Sequence, residues 1–354
     1  MINSTVSDII PGQTITLRGS GFGSKSIPGP LVWDNFEGGS NGLLVFGNSP
    51  TVENMSGNWT WDDYTADTER PKYGDGRTRP NSTLSSKHGF TGDTYNNSLE
   101  IWHTAENTGD EIYFSFYYFY DKLSSNWSRN HKPWIVYGNT GYFPAAYDGW
   151  GNPTNGDGVF RNSVQDENGE PDETMWSDPN IDQIAGEWIR IEGFLKVSSP
   201  FNNNGAWKIW VHRPNASSPR ISLEQSDSSY RTRSSSNYWE QWHFGTYHDN
   251  NTTNARADIY LDDIYFDITQ ARVEICDAPA WSGCTHHEIQ IPAGWSDNSI
   301  DITVNQGSFS NGQDVFLYVV DSQGSANAQG YPVVLGGSSV TRPNPPTDLQ
   351  TSDD

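Results

Sequence analysis

The segment EIYFSFYYFYDKL, residues 111–123, places Ile112, Phe114, Phe116, Tyr118 and Tyr120 on one side of an extended chain. Tyr113, Ser115, Tyr117, Phe119 and Asp121 fall on the other side, the period of two that marks a β-strand. The same alternation recurs in ITLRG (15–19), ADIYLDDIYFDI (257–268), ARVEIC (271–276), HHEIQI (286–291), SIDITV (299–304) and DVFLYVV (314–320). Between these runs lie clusters of Gly, Pro, Asn and Ser, which favour turns. No stretch of ten or more residues holds a helical period, so the pattern predicts an all-β protein.

The order of the runs is unusual. ITLRGSGFGS (15–24) is a strand ending in a glycine-rich turn, yet KSIPGPLVWDNFEGGSNG opens a different unit where the next strand should stand. A fitting continuation begins only near residue 271, with ARVEICDAP, HHEIQIPAGWSDNSIDITVNQGSF and DVFLYVVDSQGSANAQGYPVVL. The simplest reading is one small sandwich formed by residues 1–26 and 271–337, interrupted by an insertion over 27–270. Insertion at an exposed turn with neighbouring ends is physically tolerated. The tail, 338–354, is rich in Pro, Ser and Asp, lacks periodicity and reads as a linker or flexible end.

Two resemblances support this division. The GSGFG turn, a following strand such as Ala271–Ile275 and the stretch Ser296–Val304 resemble the IPT/TIG family of Ig-like domains, over residues 5–24 and 271–336. That implies a discontinuous Ig-like β-sandwich. LVWDNFEGGSNG at the start of the insertion, ADIYLDDIYFDI at its end and GEWIRIEGFLKVSSPFNNNGAWKIWVHR between them resemble the concanavalin A-like jelly rolls of lectins, laminin-G-like modules and several polysaccharide lyases. The resemblance implies that the first and last strands of the insertion pair, bringing its two ends to one edge.

Composition narrows the function. The chain of 354 residues holds 15 Trp, 17 Tyr and 15 Phe, enough aromatic surface for a core despite its low apolar fraction. A net charge of −23 opposes nucleic acid or an anionic membrane as partner. No apolar run approaches the length of a membrane span, so membrane insertion is not expected. MINSTVSDII has neither the basic n-region nor the apolar h-region of a signal peptide, although the Asn, Ser, Thr, Gly and Trp content looks extracellular. An excised piece of a secreted protein and a virion protein released by lysis both reconcile these facts, and the Met start favours the second.

Cys276 and Cys284 stand near opposite ends of a hairpin loop, where facing positions meet disulfide geometry. The alternative is two half-buried thiols. A zinc site is not expected, because adjacent His286 and His287 should point to opposite faces.

Asp34, Glu37, Asp262, Asp263 and Asp267 lie on or beside the two bookend strands. Crowded carboxylates repel unless a cation neutralises them, and hard oxygen ligands suit calcium. The jelly-roll resemblance implies a structural Ca2+ here, with Glu37 and Asp263 leading and Asp262 beside them. The other reading is solvated edge carboxylates.

Polar-aromatic clusters mark a glycan groove. NWSRNHKPWIVYG offers Trp127, Arg129, His131, Lys132 and Trp134, and SNYWEQWHFGTYHDN offers Trp239, Gln241, His243, Tyr247 and His248. Strict alternation puts Trp239, Gln241 and His243 on one face. Together with Tyr117 they would stack on sugar rings and hydrogen-bond hydroxyls, while Arg129 or Lys132 engages any carboxylate; the alternative is that both faces of the 111–121 strand are simply buried. A glucanase needs paired carboxylates on one strand, and no such run occurs. A lyase acting on an acidic glycan would use His131, His243 or Tyr247 as base and Arg129, Lys132 or Gln241 as neutraliser. The usual jelly-roll alginate lyase signatures are absent. The expectation is therefore a non-catalytic extracellular or virion-surface protein that binds poly- or oligosaccharide and joins a larger assembly through its Ig-like part. A polysaccharide lyase and a purely structural spacer are the alternatives.

Overall fold

In the computed structural model the described residues are 2–5, 8–55, 57–63, 70–91, 97–105, 111–122, 130–138, 145–150, 160–165, 171–176, 185–213, 220–232, 238–245, 248–249 and 256–336. They form β-strands and no α-helix; one 3-10 turn spans Trp281–Gly283.

The smaller unit joins the chain's beginning to its far end. Strands β1 (Ile2–Ser4), β2 (Asp8–Ile9) and β3 (Thr14–Gly19) pair with β21 (Arg272–Cys276), β22 (His287–Ser296), β23 (Ser299–Thr303), β24 (Asp314–Val320) and β25 (Tyr331–Leu335). Their order is β1-β3-β23-β22-β21-β24-β25-β2. Residues Ile15 and Leu17 of β3 lie opposite Ile302 and Ile300 of β23. The long strand β22 pairs through its first half with β21 and through its second half with β23, so the sheet folds over itself at β22. Leu17, Ile300, Ile302, Val273, Ile275, Val315, Leu317 and Val333 fill the core enclosed by that fold.

The chain between β3 and β21 builds a larger two-layer sandwich. One sheet runs β17 (Arg220–Tyr230), β16 (Gly205–His212), β15 (Trp188–Lys196), β10 (Glu111–Lys122), β20 (Arg256–Asp267), β4 (Val32–Asp34), β5 (Val52–Glu53), with β8 (Ser85–Thr91) on β20 and β7 (Lys72–Gly74) on β8. The other runs β14 (Pro171–Trp176), β13 (Phe160–Gln165), β12 (Ala145–Trp150), β11 (Asn130–Gly138), β18 (Trp239–Phe244), β9 (Asn97–Ala105), β6 (Thr60–Asp63), with β19 (His248–Asp249) on β11. The bookend strands do pair: Ile264 faces Asp34, Tyr265 faces Trp33 and Phe266 faces Val32. Lys25, in the chain entering this unit, bonds Asp267 at its exit at 2.6 Å, with both side chains buried.

The alternation of residues 111–120 is realised in β10. Ile112, Phe114, Phe116, Tyr118 and Tyr120 point into the core between the two sheets, among Trp134, Trp207, Trp239 and Trp242. Gly193 makes this packing possible, since a Cβ there would fall 2.1 Å from Phe114 Cζ. The opposite face of β10 does not line a groove. Tyr113, with Trp33 and Tyr265, packs against Ile289 and Ile291 of the smaller unit.

Candidate functional site

Around that apolar patch the seam between the two units is a lattice of buried charges. Arg190 donates to both Glu274 oxygens, at 3.2 and 3.3 Å, and through Nε to Ser115 Oγ at 2.7 Å. Arg272 reaches back to Glu192 Oε1 at 2.9 Å, and Glu192 Oε2 lies 2.8 Å from His212 Nε2. Burial works against ionisation of Glu192 and Glu274, but the two arginines hold both carboxyls below their ordinary range. Burial likewise pushes the His212 imidazole down to about 4. Tyr117 donates to the His287 carbonyl at 2.9 Å, so the tyrosine expected in a sugar groove is a seam residue instead. The alternation left open whether both faces of β10 are buried; the partner that buries the second face, at His287, lies 170 residues along the chain.

A second knot occupies the place expected for calcium. Strand β20 carries an extra residue relative to β10, with Asp263 in the left-handed region at φ 47°. Arg79 bonds Asp263 and Glu288 at once, donates to Ser308 Oγ at 2.8 Å and lies over the Tyr117 ring, 3.2 Å from its centroid. Burial raises Asp263 to about 6 against the pull of Arg79, and burial with the adjacent Asp263 raises Asp262 well above its ordinary value. Glu37 accepts the Thr83 and Leu84 amides at 2.7 and 3.0 Å. Asp263 is thus held by a guanidinium and Glu37 by backbone amides, while the buried Asp262 Oδ2 has no hydrogen-bond partner among the described residues. Arg79, in a loop without periodicity, supplies the positive charge.

The second sheet places the remaining candidates. Trp239 is fully buried, its ring 5.7 Å from that of Trp207 in the core. The cause is an extra residue in β18: Tyr137 pairs with Gln241 but Gly138 pairs with Trp239, which breaks strict alternation. His131 also turns inward, bonding Tyr118 Oη and stacking on Tyr120 at 5.3 Å between centroids. Lys132 is buried in β11. Trp127, Arg129 and Tyr247 lie outside the described residues.

Two rows of side chains cross the outer face of this sheet. One contains Tyr137, Gln241 and Trp102, taken from β11, β18 and β9. The next contains Ile135, His243, Glu100 and Thr60. His243 Nδ1 lies 3.0 Å from Ser98 Oγ and its Nε2 lies 3.3 Å from Glu100 Oε1. Burial pushes the imidazole down to about 3, so it is neutral at neutral pH. Thr60 Oγ1 donates to Glu100 Oε2 at 3.0 Å, and Tyr137 meets His243 edge-on at 5.0 Å. In the second row Ile135, His243 and Glu100 are buried and Thr60 is exposed; in the first Tyr137 is buried, Gln241 half-buried and Trp102 49% exposed. Trp102 was not among the expected site residues. Its signal is in LEIW, where Leu99 and Ile101 face the core and Glu100 and Trp102 face out.

In the smaller unit Cys276 and Cys284 form a disulfide, with Cα atoms 5.8 Å apart. His286 and His287 do diverge: His286 stacks on Phe309, while His287 lies under Trp281. His287 thereby converges with the two sulfurs, its ligand atom and theirs all within 4.8 Å of one another.

No protein-family model matches the chain, and no curated protein matches it. Among solved structures it is similar to the endo-β-1,4-glucuronan lyase of the fungus Trichoderma reesei, at 15% identity over 65% of this chain and 96% of that one, TM-score 0.43. It is similar to the alginate lyase Aly36B, at 15% identity over 68% and 98%, TM-score 0.44. The alginate lyase vAL-1 of a Chlorella virus is similar at 13% identity over 59% and 93%, TM-score 0.38.

Proposed function

We propose that the protein binds saccharide on the outer face of the β11–β18–β9 sheet without cleaving it. The observation that carries this reading is the exposed Trp102 beside Gln241 on neighbouring strands. An indole presents a flat apolar surface to the C–H face of a pyranose, and an adjacent amide both donates to and accepts from its hydroxyls. Charge favours a neutral glycan over a uronate polymer. Of 21 basic residues, Lys25, Arg79, Arg190 and Arg272 are buried in ion pairs, which leaves the surface of a chain of net charge −23 more acidic still.

A non-catalytic role agrees with the orientation of the histidines. A lyase base must face the C5 proton of its substrate, but His131 is turned into the core and both ring nitrogens of His243 face protein groups. We also read the smaller unit as an Ig-like attachment domain interrupted between its second and third principal strands. With β1, β3, β21, β22, β23, β24 and β25 taken as A to G, its sheet order becomes A-B-E-D and C-F-G, the arrangement of Ig sandwiches. The disulfide suits display outside the cell or on a virion surface.

The test is a glycan panel of neutral, amino and uronate polymers, alginate and polyglucuronate included. Retention of a neutral glycan by the full chain, reduced at least about tenfold in Trp102→Ala, supports the reading, since losing one stacking contact corresponds to about 1–2 kcal/mol. Growth of ultraviolet absorbance from an unsaturated uronate product would establish a lyase instead. No binding to any glycan would leave the spacer reading.

A further inference from the structure

We propose that the hairpin carrying Cys276, Cys284 and His287 is a redox-gated zinc site, closed by the disulfide and opened by its reduction. The spacing CDAPAWSGCTHH sets His287 three residues after Cys284. The two sulfurs and a ring nitrogen of His287 already lie within 4.8 Å of one another, and all three residues are buried. Tetrahedral zinc holds sulfur at about 2.3 Å, which puts two thiolates roughly 3.8 Å apart. Side-chain rotation on Cα atoms 5.8 Å apart can supply that separation without moving the strands.

The surroundings suit a metal. Glu274 Oε2 lies 3.2 Å from His287 Nδ1, the carboxylate–imidazole contact that orients a metal-bound histidine and leaves Nε2 as ligand. Glu274 is itself fixed by Arg190 and Arg272. Trp281 closes one side of the imidazole at 4.6 Å between centroids. The backbone is anchored as well, since the His287 carbonyl accepts from Tyr117. The site thus offers two cysteines and one histidine.

The chemistry balances with a dithiol as reductant. Two electrons from the dithiol break the S–S bond, the dithiol becomes a disulfide, and zinc binding releases the two thiol protons. Reoxidation by a disulfide oxidant reforms the Cys276–Cys284 bond and expels the metal.

The experiment uses the full chain reduced with a non-chelating phosphine and titrated with Co2+, then Zn2+. One Co2+ per chain is expected, with thiolate-to-cobalt charge-transfer absorption and tetrahedral d–d bands, bleached by an equivalent of Zn2+. The oxidised chain and Cys276→Ser/Cys284→Ser should give no such bands. His287→Gln should weaken binding more than about tenfold, and Glu274→Gln by about tenfold, as outer-shell partners of a metal do. Near-ultraviolet circular dichroism checks that each variant is folded. The proposal is overturned if the reduced chain binds Co2+ no better than the serine variant. It is equally overturned if His287→Gln, folded, binds as well as wild type, or if reduction alone unfolds the chain.

Discussion

Replacing Arg79 by Met should be among the most destabilising single changes in the molecule. The guanidinium is 1% exposed and bonds Asp263 of the larger unit and Glu288 of the smaller one, with Asp262 and Glu37 close by. Its loss leaves those carboxylates facing one another without a countercharge. Removing one partner of a buried ion pair costs roughly 3–5 kcal/mol, and one cation serving two anions places this case at the upper end. At about 2–4 °C per kcal/mol for chains of comparable size, the melting temperature should fall by about 10 °C at pH 8. The deficit should shrink on acidification. Asp263 titrates at about 6 in the folded protein against 3.8 for an ordinary aspartate. A raised carboxyl contributes stability that is present in full below the unfolded value and is lost as pH rises through the folded one. Without Arg79 that folded value rises further, so the variant regains stability between pH 8 and pH 5 relative to wild type. Calorimetry at both pH values, with Glu288→Gln and the double variant completing a cycle, measures the coupling. A loss below about 1 kcal/mol at pH 8, or a deficit independent of pH, would refute the seam as an obligatory charge lattice.

Burial lowers His88 to about 4, so its contribution is present above the unfolded value of 6.5 and is lost as pH falls toward 4. His88→Gln should therefore flatten the acid limb of stability measured by chemical denaturation between pH 7 and pH 5; an unchanged slope would contradict its buried neutral state. Trp239→Ala should destabilise by about 3–5 kcal/mol because it empties the core, while Trp102→Ala should lie within about 0.5 kcal/mol of wild type; equal effects would mean that the two faces of the sheet are wrongly assigned. A chelator in excess should leave the melting temperature of the oxidised chain unchanged, since Arg79 rather than Ca2+ neutralises Asp263. A drop reversed by added Ca2+ would restore Glu37, Asp262 and Asp263 as ligands.

Period-two alternation made β10 legible residue by residue, and the jelly-roll resemblance of the two bookend segments implied that β4 and β20 are neighbours. Alternation could not say what covers the outer face of β10, because Ile289 and Ile291 reach it through a docking of distant segments. Trp239 was placed on the wrong face by a single extra residue in β18, a bulge with no signal in WEQWHF. Arg79 escaped notice because GDGRTRP has no period, and its role depends on Asp263 and Glu288 arriving from opposite directions. The divergence of His286 and His287 was correctly inferred from adjacency, whereas the approach of His287 to the sulfurs depends on how the hairpin closes. Trp102 was legible in LEIW only once the core side of β9 was known.

The central claim, saccharide bound across β11, β18 and β9, is tested most directly by a crystal structure of the full chain with the oligosaccharide that binds best in the panel. The account predicts a pyranose ring stacked on Trp102, with Gln241 hydrogen-bonded to its hydroxyls and Tyr137 alongside. A sugar seated elsewhere, for example in the cleft between the units lined by Trp33, Asn35, Asn81 and Asn305, would contradict it.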